Sequence, residues 1–257
     1  MGAKTGLLAY ADRDIPAALR QVPVAGIAET TEFVGRLCPG WVMEAAEGET
    51  LGEGTYPADG LTYAASFPGV DIVCDRRLMI DRPSQLPEHL VAASAGRRMV
   101  LHAMHSVVDW LAFAVWEDGR LVRSLSLSPD SGVIEDIGEP FPFEAPYWAG
   151  DHPVEMDPEW EDEAPYPLPF HPLELGEEAL RAFFGFILEG WPTPDDIDPD
   201  EFRLHGFRLI DPGGPDLAQR QADLEEAAQR MRSTTYRLAP DGTLMSGAVP
   251  LGGEPEL

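Results

Sequence analysis

Lysine is almost missing from this chain. Lys4 is its only one, and 18 basic residues face 45 acidic ones for a formal net charge of -27. Affinity for nucleic acid comes largely from lysine and arginine neutralising phosphates, so direct nucleic-acid binding is not expected, and anionic membrane surfaces repel such a chain too. Cysteine is scarce as well. Cys38 and Cys74 are too far apart to form the close-spaced pairs of zinc or redox sites, and they read as reduced core thiols. No run approaches the roughly 18 uncharged apolar residues of a membrane span. The apolar stretch at the N-terminus stops at Asp12, too early for an export signal. A cytoplasmic location follows as the expectation. Walker A, Gly-x-Gly-x-x-Gly, His-Glu-x-x-His and Gly-x-Ser-x-Gly patterns are all absent, which removes the familiar nucleotide, zinc-protease and serine-hydrolase templates.

What is present suffices for a core. The chain is 44% hydrophobic, and its length would bury about 70–75% of the unfolded surface. Helical and strand-like stretches mix without βαβ alternation. The reading is an α+β fold: a mixed, largely antiparallel central sheet with a few packed helices and a long acidic, proline-rich loop. Residues 1–210 are expected to form a single domain that includes the loop at 150–172. Residues 211–257 are expected to supply a surface helix to about Arg232 and a flexible tail from Gly247.

The run Thr5 to Ala11 is continuously apolar and suits a strand buried on both faces at the centre of the sheet. Asp14 is placed to cap a helix with Pro16 in its first turn, and a second helix should end before Pro39-Gly40. Asp118-Gly119 marks a tight hairpin between Trp110–Trp116 and Leu121–Leu127. Its simplest register sets Glu117 opposite Arg120, Val115 opposite Val122, Phe113 opposite Ser124, Leu111 opposite Ser126 and Asp109 opposite Ser128. Leu180, Phe183, Phe184, Ile187 and Leu188 recur at helical spacing, which predicts a core helix ending at Gly190.

Gly150 to Pro172 holds no lysine or arginine, and prolines at 153, 158, 165, 167, 169 and 172 interrupt regular structure there. Asp157, Glu159, Glu161, Asp162 and Glu163 crowd its middle, while Trp148, Trp160, Tyr166 and Phe170 are more aromatic anchors than a plain linker carries.

Two constellations could carry chemistry. His102, His105 and Asp109 precede the hairpin, and its register would deliver Ser128 and Asp130 to the same end. Imidazole and carboxylate together bind metals or relay protons. The odd spacing of the two histidines points them to opposite faces of a straight strand, so they meet only if the chain bends. Asp12 and Asp14 follow the first strand and could hold a divalent metal such as Mg²⁺, although Asp14 also suits a helix cap.

Several blocks have a further meaning. Met1 to Thr5, His102-Ala103-Met104-His105-Ser106-Val107-Val108-Asp109-Trp110, Ser124 to Gly132, Pro146-Tyr147-Trp148-Ala149-Gly150 and Pro169 to Gly176 together resemble a family of actinobacterial proteins of unknown function. The resemblance runs to about Ile210. It implies a GC-rich bacterial source and a cytoplasmic location, and it transfers no activity, cofactor or catalytic residue.

Two functions compete. The first is a non-enzymatic binding or regulatory protein that presents its acidic loop to a basic protein. The second is a metal-assisted hydrolase or related small-molecule enzyme built on the His102, His105, Asp109, Ser128 and Asp130 cluster.

Overall fold

Strand β1 (Lys4–Ala11) forms where the chain is most apolar, and every side chain from Thr5 to Ala11 is buried. It pairs antiparallel with β4 (Val70–Cys74) on one side and β5 (Arg98–His105) on the other. The computed structural model describes residues 2–21, 24–154, 166–213, 232–238 and 244–250. The chain divides into two compact units, Met1–Ile210 and Asp211–Leu257.

The first unit holds a nine-stranded antiparallel sheet. Beyond the three strands above lie β2 (Val42–Thr50), β3 (Leu61–Phe67), β6 (Trp110–Glu117), β7 (Arg120–Ser128), β8 (Gly132–Ile137) and β9 (Arg203–Ile210). Their spatial order is β2-β9-β3-β4-β1-β5-β6-β7-β8. Side chains alternate across a strand, so β1 serves two cores at once. Leu7, Ala9 and Ala11 enter the core completed by α1 (Ile15–Leu19) and α6 (Pro172–Phe184). Leu8 and Tyr10 enter the other, with Phe33, Val34 and Leu37 of α2 (Ile27–Leu37) and Leu90 of α4 (Glu88–Ala92). The short helices α3 (Leu51–Gly54) and α5 (Ala145–Ala149) are the remaining α-helices among the described residues.

The β6–β7 hairpin turns at Asp118-Gly119, both at positive φ, and opens with Glu117 opposite Arg120. Its register then departs from the simple one. Trp116 faces Leu121 but Val115 faces Arg123, so Val122 is the extra residue of a β-bulge. Beyond it Phe113 pairs with Leu125 and Leu111 with Leu127, each one residue on from Ser124 and Ser126. The physical reason is packing. A one-residue slip exchanges the faces of a strand, and the bulge sets the leucines beside Leu111 and Phe113 in the α6 core. Ser124 and Ser126 fall instead beside Ala114 and Ala112. Asp109 lies before β6, in the turn that follows β5, and is not across from Ser128.

The core helix also differs from its expected span. α6 starts at Pro172, where a missing N–H costs nothing, with the His171 side chain accepting from Leu173 N–H at 3.3 Å. It ends at Gly185, in the left-handed conformation at φ 83°, whose N–H reaches the Leu180 and Arg181 carbonyls. Ile187 and Leu188 lie beyond this cap. The acidic run 155–165 falls outside the described residues, although both of its flanks are anchored. Trp148 packs edge-on against buried Phe170, and Tyr166 stacks on His171.

In the second unit, β10 (Arg232–Leu238) and β11 (Leu244–Pro250) form an antiparallel hairpin that reaches into the stretch expected to be a tail. The helix expected between 213 and 232 lies outside the described residues, apart from its two ends. No described helix is long and apolar enough to cross a membrane.

Candidate functional site

His102 and His105 do not converge. β5 pairs with β1 and β6 in unbroken register, so the bend needed to bring them together is absent and they project to opposite faces. His102 is fully buried. Its Nε2 donates to the Gly176 carbonyl of α6 at 2.9 Å, and its Nδ1 accepts from the Thr5 hydroxyl at 2.8 Å. Burial lowers its pKa to about 4, against which the carbonyl bond works only in part. Both ring nitrogens of this neutral imidazole are occupied, so it acts as a rivet between sheet and helix. Gly176 permits the approach, since a Cβ there would lie 2.6 Å from Met104 Sδ.

His105 sits edge-on to Tyr56, with ring centroids 6.0 Å apart. Its Nδ1 accepts from Val107 N–H at 3.3 Å, and burial followed by the Lys4 ammonium holds its pKa below the usual imidazole range. Asp109, at φ 46°, turns toward His171, with Oδ2 3.6 Å from Nε2. Ser128 Oγ accepts from Ser131 N–H at 3.2 Å within the β7–β8 turn that carries exposed Asp130. Of the five clustered candidates, His105, Ser128 and Asp130 line one shallow depression of about 340 Å³, joined by Asp81 and Trp110. His102 and Asp109 are elsewhere.

The carboxylate pair has structural duties. Asp14 Oδ1 accepts from Ala17 N–H at 2.9 Å and caps α1. Asp12 Oδ1 lies 2.8 Å from Arg97 Nε, and Arg97 also reaches buried Asp71 at 2.5 Å. Among the described residues no group of three or more His, Cys, Asp or Glu is arranged to hold a metal ion.

A different surface emerges after α6. Residues 185–201 have little regular structure, and polar staples hold them. Ile197 N–H bonds to the Gly185 carbonyl at 2.7 Å. Arg181 grips Asp196 at 3.0 Å and Glu178 at 2.9 Å, and Asp196 Oδ2 also accepts from Thr193 N–H at 2.6 Å. Burial would raise the Asp196 pKa, yet these donors keep it below the usual carboxylate range. Asp198 caps the turn Pro199–Glu201, and Asp200 accepts from the Thr50 hydroxyl at 2.8 Å, tying the arch to α3.

The arch borders a groove of about 410 Å³ edged by Glu53, Asp196, Asp198 and Asp200. Gly190 and Pro192 line it, and between them Trp191 is 92% exposed. No catalytic or binding motif marks this place in the sequence. Its local signal was an aromatic residue between Gly190 and Pro192, followed by the acidic run from Asp195 to Glu201.

Neither a curated protein nor a solved structure matches the chain. A family model does so over residues 5–207, nearly the whole of the nine-stranded sheet. The chain belongs to the family of unknown function DUF6928.

Proposed function

We propose that this is a non-enzymatic, cytoplasmic binding or regulatory protein that offers acidic surface to a basic protein. The surface comprises the 150–172 segment and the groove beside Trp191. The observation that carries the reading is Trp191 itself, almost wholly in solvent between Gly190 and Pro192, which line a carboxylate-edged groove. Exposing an indole to water is unfavourable, whereas tryptophan is enriched among residues that dominate interfaces and is the best ring for a cation. The disposition of charge adds support. Arg76, Arg77, Arg97, Arg98, Arg123 and Arg181 each face a carboxylate within the chain, so the negative excess is left to the outside.

The test uses a fluorescent peptide rich in arginine and lysine, and variants that separate sites from overall charge. One variant replaces Glu159, Glu161, Asp162 and Glu163 with their amides, and a second combines Trp191→Ala with Glu53→Gln. The control replaces Glu29, Glu44, Glu47 and Glu88 with glutamine. Binding should weaken by about tenfold, or about 1.4 kcal/mol, in both site variants and little in the control. It should also fade as the Debye length falls from about 10 Å at 0.1 M salt to about 3 Å at 1 M. Equal losses in the site variants and the control would reduce the effect to generic attraction for a polyanion.

The alternative, a metal-assisted hydrolase, would have to work from His105, Ser128 and Asp130, the three candidates that share a depression. Stoichiometric metal in the purified protein, lost on replacing His105, is the result that would favour it.

A further inference from the structure

On the opposite face of the sheet from α6, a pocket of about 140 Å³ lies where the end of α2 meets α4 and β9. Val34, Leu37, Leu78, Leu90 and Leu209 supply its apolar wall, and Trp41 stands beside them. We propose that this pocket is a binding site for a small uncharged apolar group, about the size of one aromatic ring.

Size is the first argument. A dry apolar cavity of roughly 150 Å³ accepts benzene, so the volume suits a monocyclic ligand or the ring of a larger one. The polar lining supplies the second. Asp75 is buried, and its Oδ1 accepts from the Arg77 N–H and Nε, both at 2.8 Å. Its Oδ2 accepts from Arg77 Nη2 at 2.6 Å and from the buried Thr62 hydroxyl at 2.5 Å. Arg77 in turn lies over Trp41, 4.9 Å from the ring centroid. The charges of this wall are thus engaged with one another, and a charged group entering would lose its hydration without gaining a counter-charge that is not already engaged. An uncharged ring incurs no such penalty and gains the leucine and tryptophan surface. Access is through a mouth at exposed His89 and the half-exposed Arg77 side chain. The pocket shares no lining residue with the acidic groove, so its ligand binding is independent of the proposed function.

Three probes that share one ring and differ in charge make the test: toluene, benzoate and benzylamine. One readout is the methyl NMR shifts of Val34, Leu37 and Leu90. The other is the alkylation rate of Cys38, which lines the pocket. Cys74 does not compete, because it is fully buried and burial raises its thiol pKa. Toluene should move those methyl signals and slow Cys38 alkylation roughly in proportion to the sites filled. The charged probes should bind at least about tenfold more weakly. Leu90→Phe and Leu209→Phe, made separately so that one folded variant suffices, should abolish toluene binding by filling the space. The proposal is overturned if toluene moves no lining methyl near its solubility limit or if either charged probe binds as tightly. Unchanged toluene binding in a folded pocket-filled variant would overturn it too.

Discussion

The sheet and the arch at 185–201 are both rich in polar side chains and use them in opposite ways. In the sheet, His102 and Arg123 are fully buried and their side-chain nitrogens are bonded within the chain. Arg123 meets buried Glu144 through Nε at 3.0 Å and Nη2 at 2.6 Å, and its Nη1 serves Asp136 and the carbonyls of Ile137 and Gly138. In the arch, Asp196 is bound to Arg181, while Glu53 and Trp191 face outward. Residue type alone does not mark a site. A histidine or an acid becomes available for chemistry only when the fold leaves it something unsatisfied, and the sheet leaves His102 and Arg123 very little.

Breaking the inward side should cost the most. Glu144→Ala removes the fully buried partner of Arg123, leaving it only half-exposed Asp136, and should lower stability by about 3–5 kcal/mol in urea denaturation. Replacing Arg123 and Glu144 together with methionine and leucine should recover much of that loss, because no uncompensated charge remains. Phe184→Ala, which empties a fully buried position of the α6 core, should fall in the same range of about 3–5 kcal/mol. A loss below about 1 kcal/mol in either single variant would mean that these buried positions are less tightly committed than their geometry indicates.

The His102 rivet has a pH signature. Burial moves its pKa from 6.5 in the unfolded chain to about 4 in the fold, so the unfolded state holds more protons between those values. Its contribution is therefore fully present above pH 6.5 and is lost as the pH falls toward 4, by about 3 kcal/mol in all. The stability gap between the natural chain and His102→Gln should narrow by that amount across the window. A gap that stays constant with pH would show that the imidazole is not held neutral.

The outward side should respond least. Trp191→Ala, at a position 92% exposed, should change stability by less than about 0.5 kcal/mol while weakening capture of the basic peptide. A large loss of stability would instead tie the indole to the fold.

Several of these features were legible before any tertiary information. The apolar run at Thr5 to Ala11 announced a central strand, Asp118-Gly119 announced a turn, and Asp14 announced a helix cap. Each is a local matter, decided within a few residues by backbone preference or by a single hydrogen bond. The α6 boundaries were readable in principle from Pro172 and Gly185, but the apolar spacing past Gly185 obscured the stop.

Other features were beyond local reading. Val122 bulges because the Leu125 and Leu127 side chains must reach the α6 core, and nothing within the hairpin itself records where that core lies. The same holds for His102, made unreactive by Thr5 and Gly176 from distant parts of the chain, and for Asp109, drawn to His171 rather than to its neighbours in sequence. By itself the sequence determined a strongly acidic, α+β chain with its central strand, its turn and its first cap, because those depend on composition and on contacts between near neighbours. Only the tertiary structure decided which polar groups are used up and which remain open. That depends on partners brought together from far along the chain, whose packing selects register, burial and protonation at once.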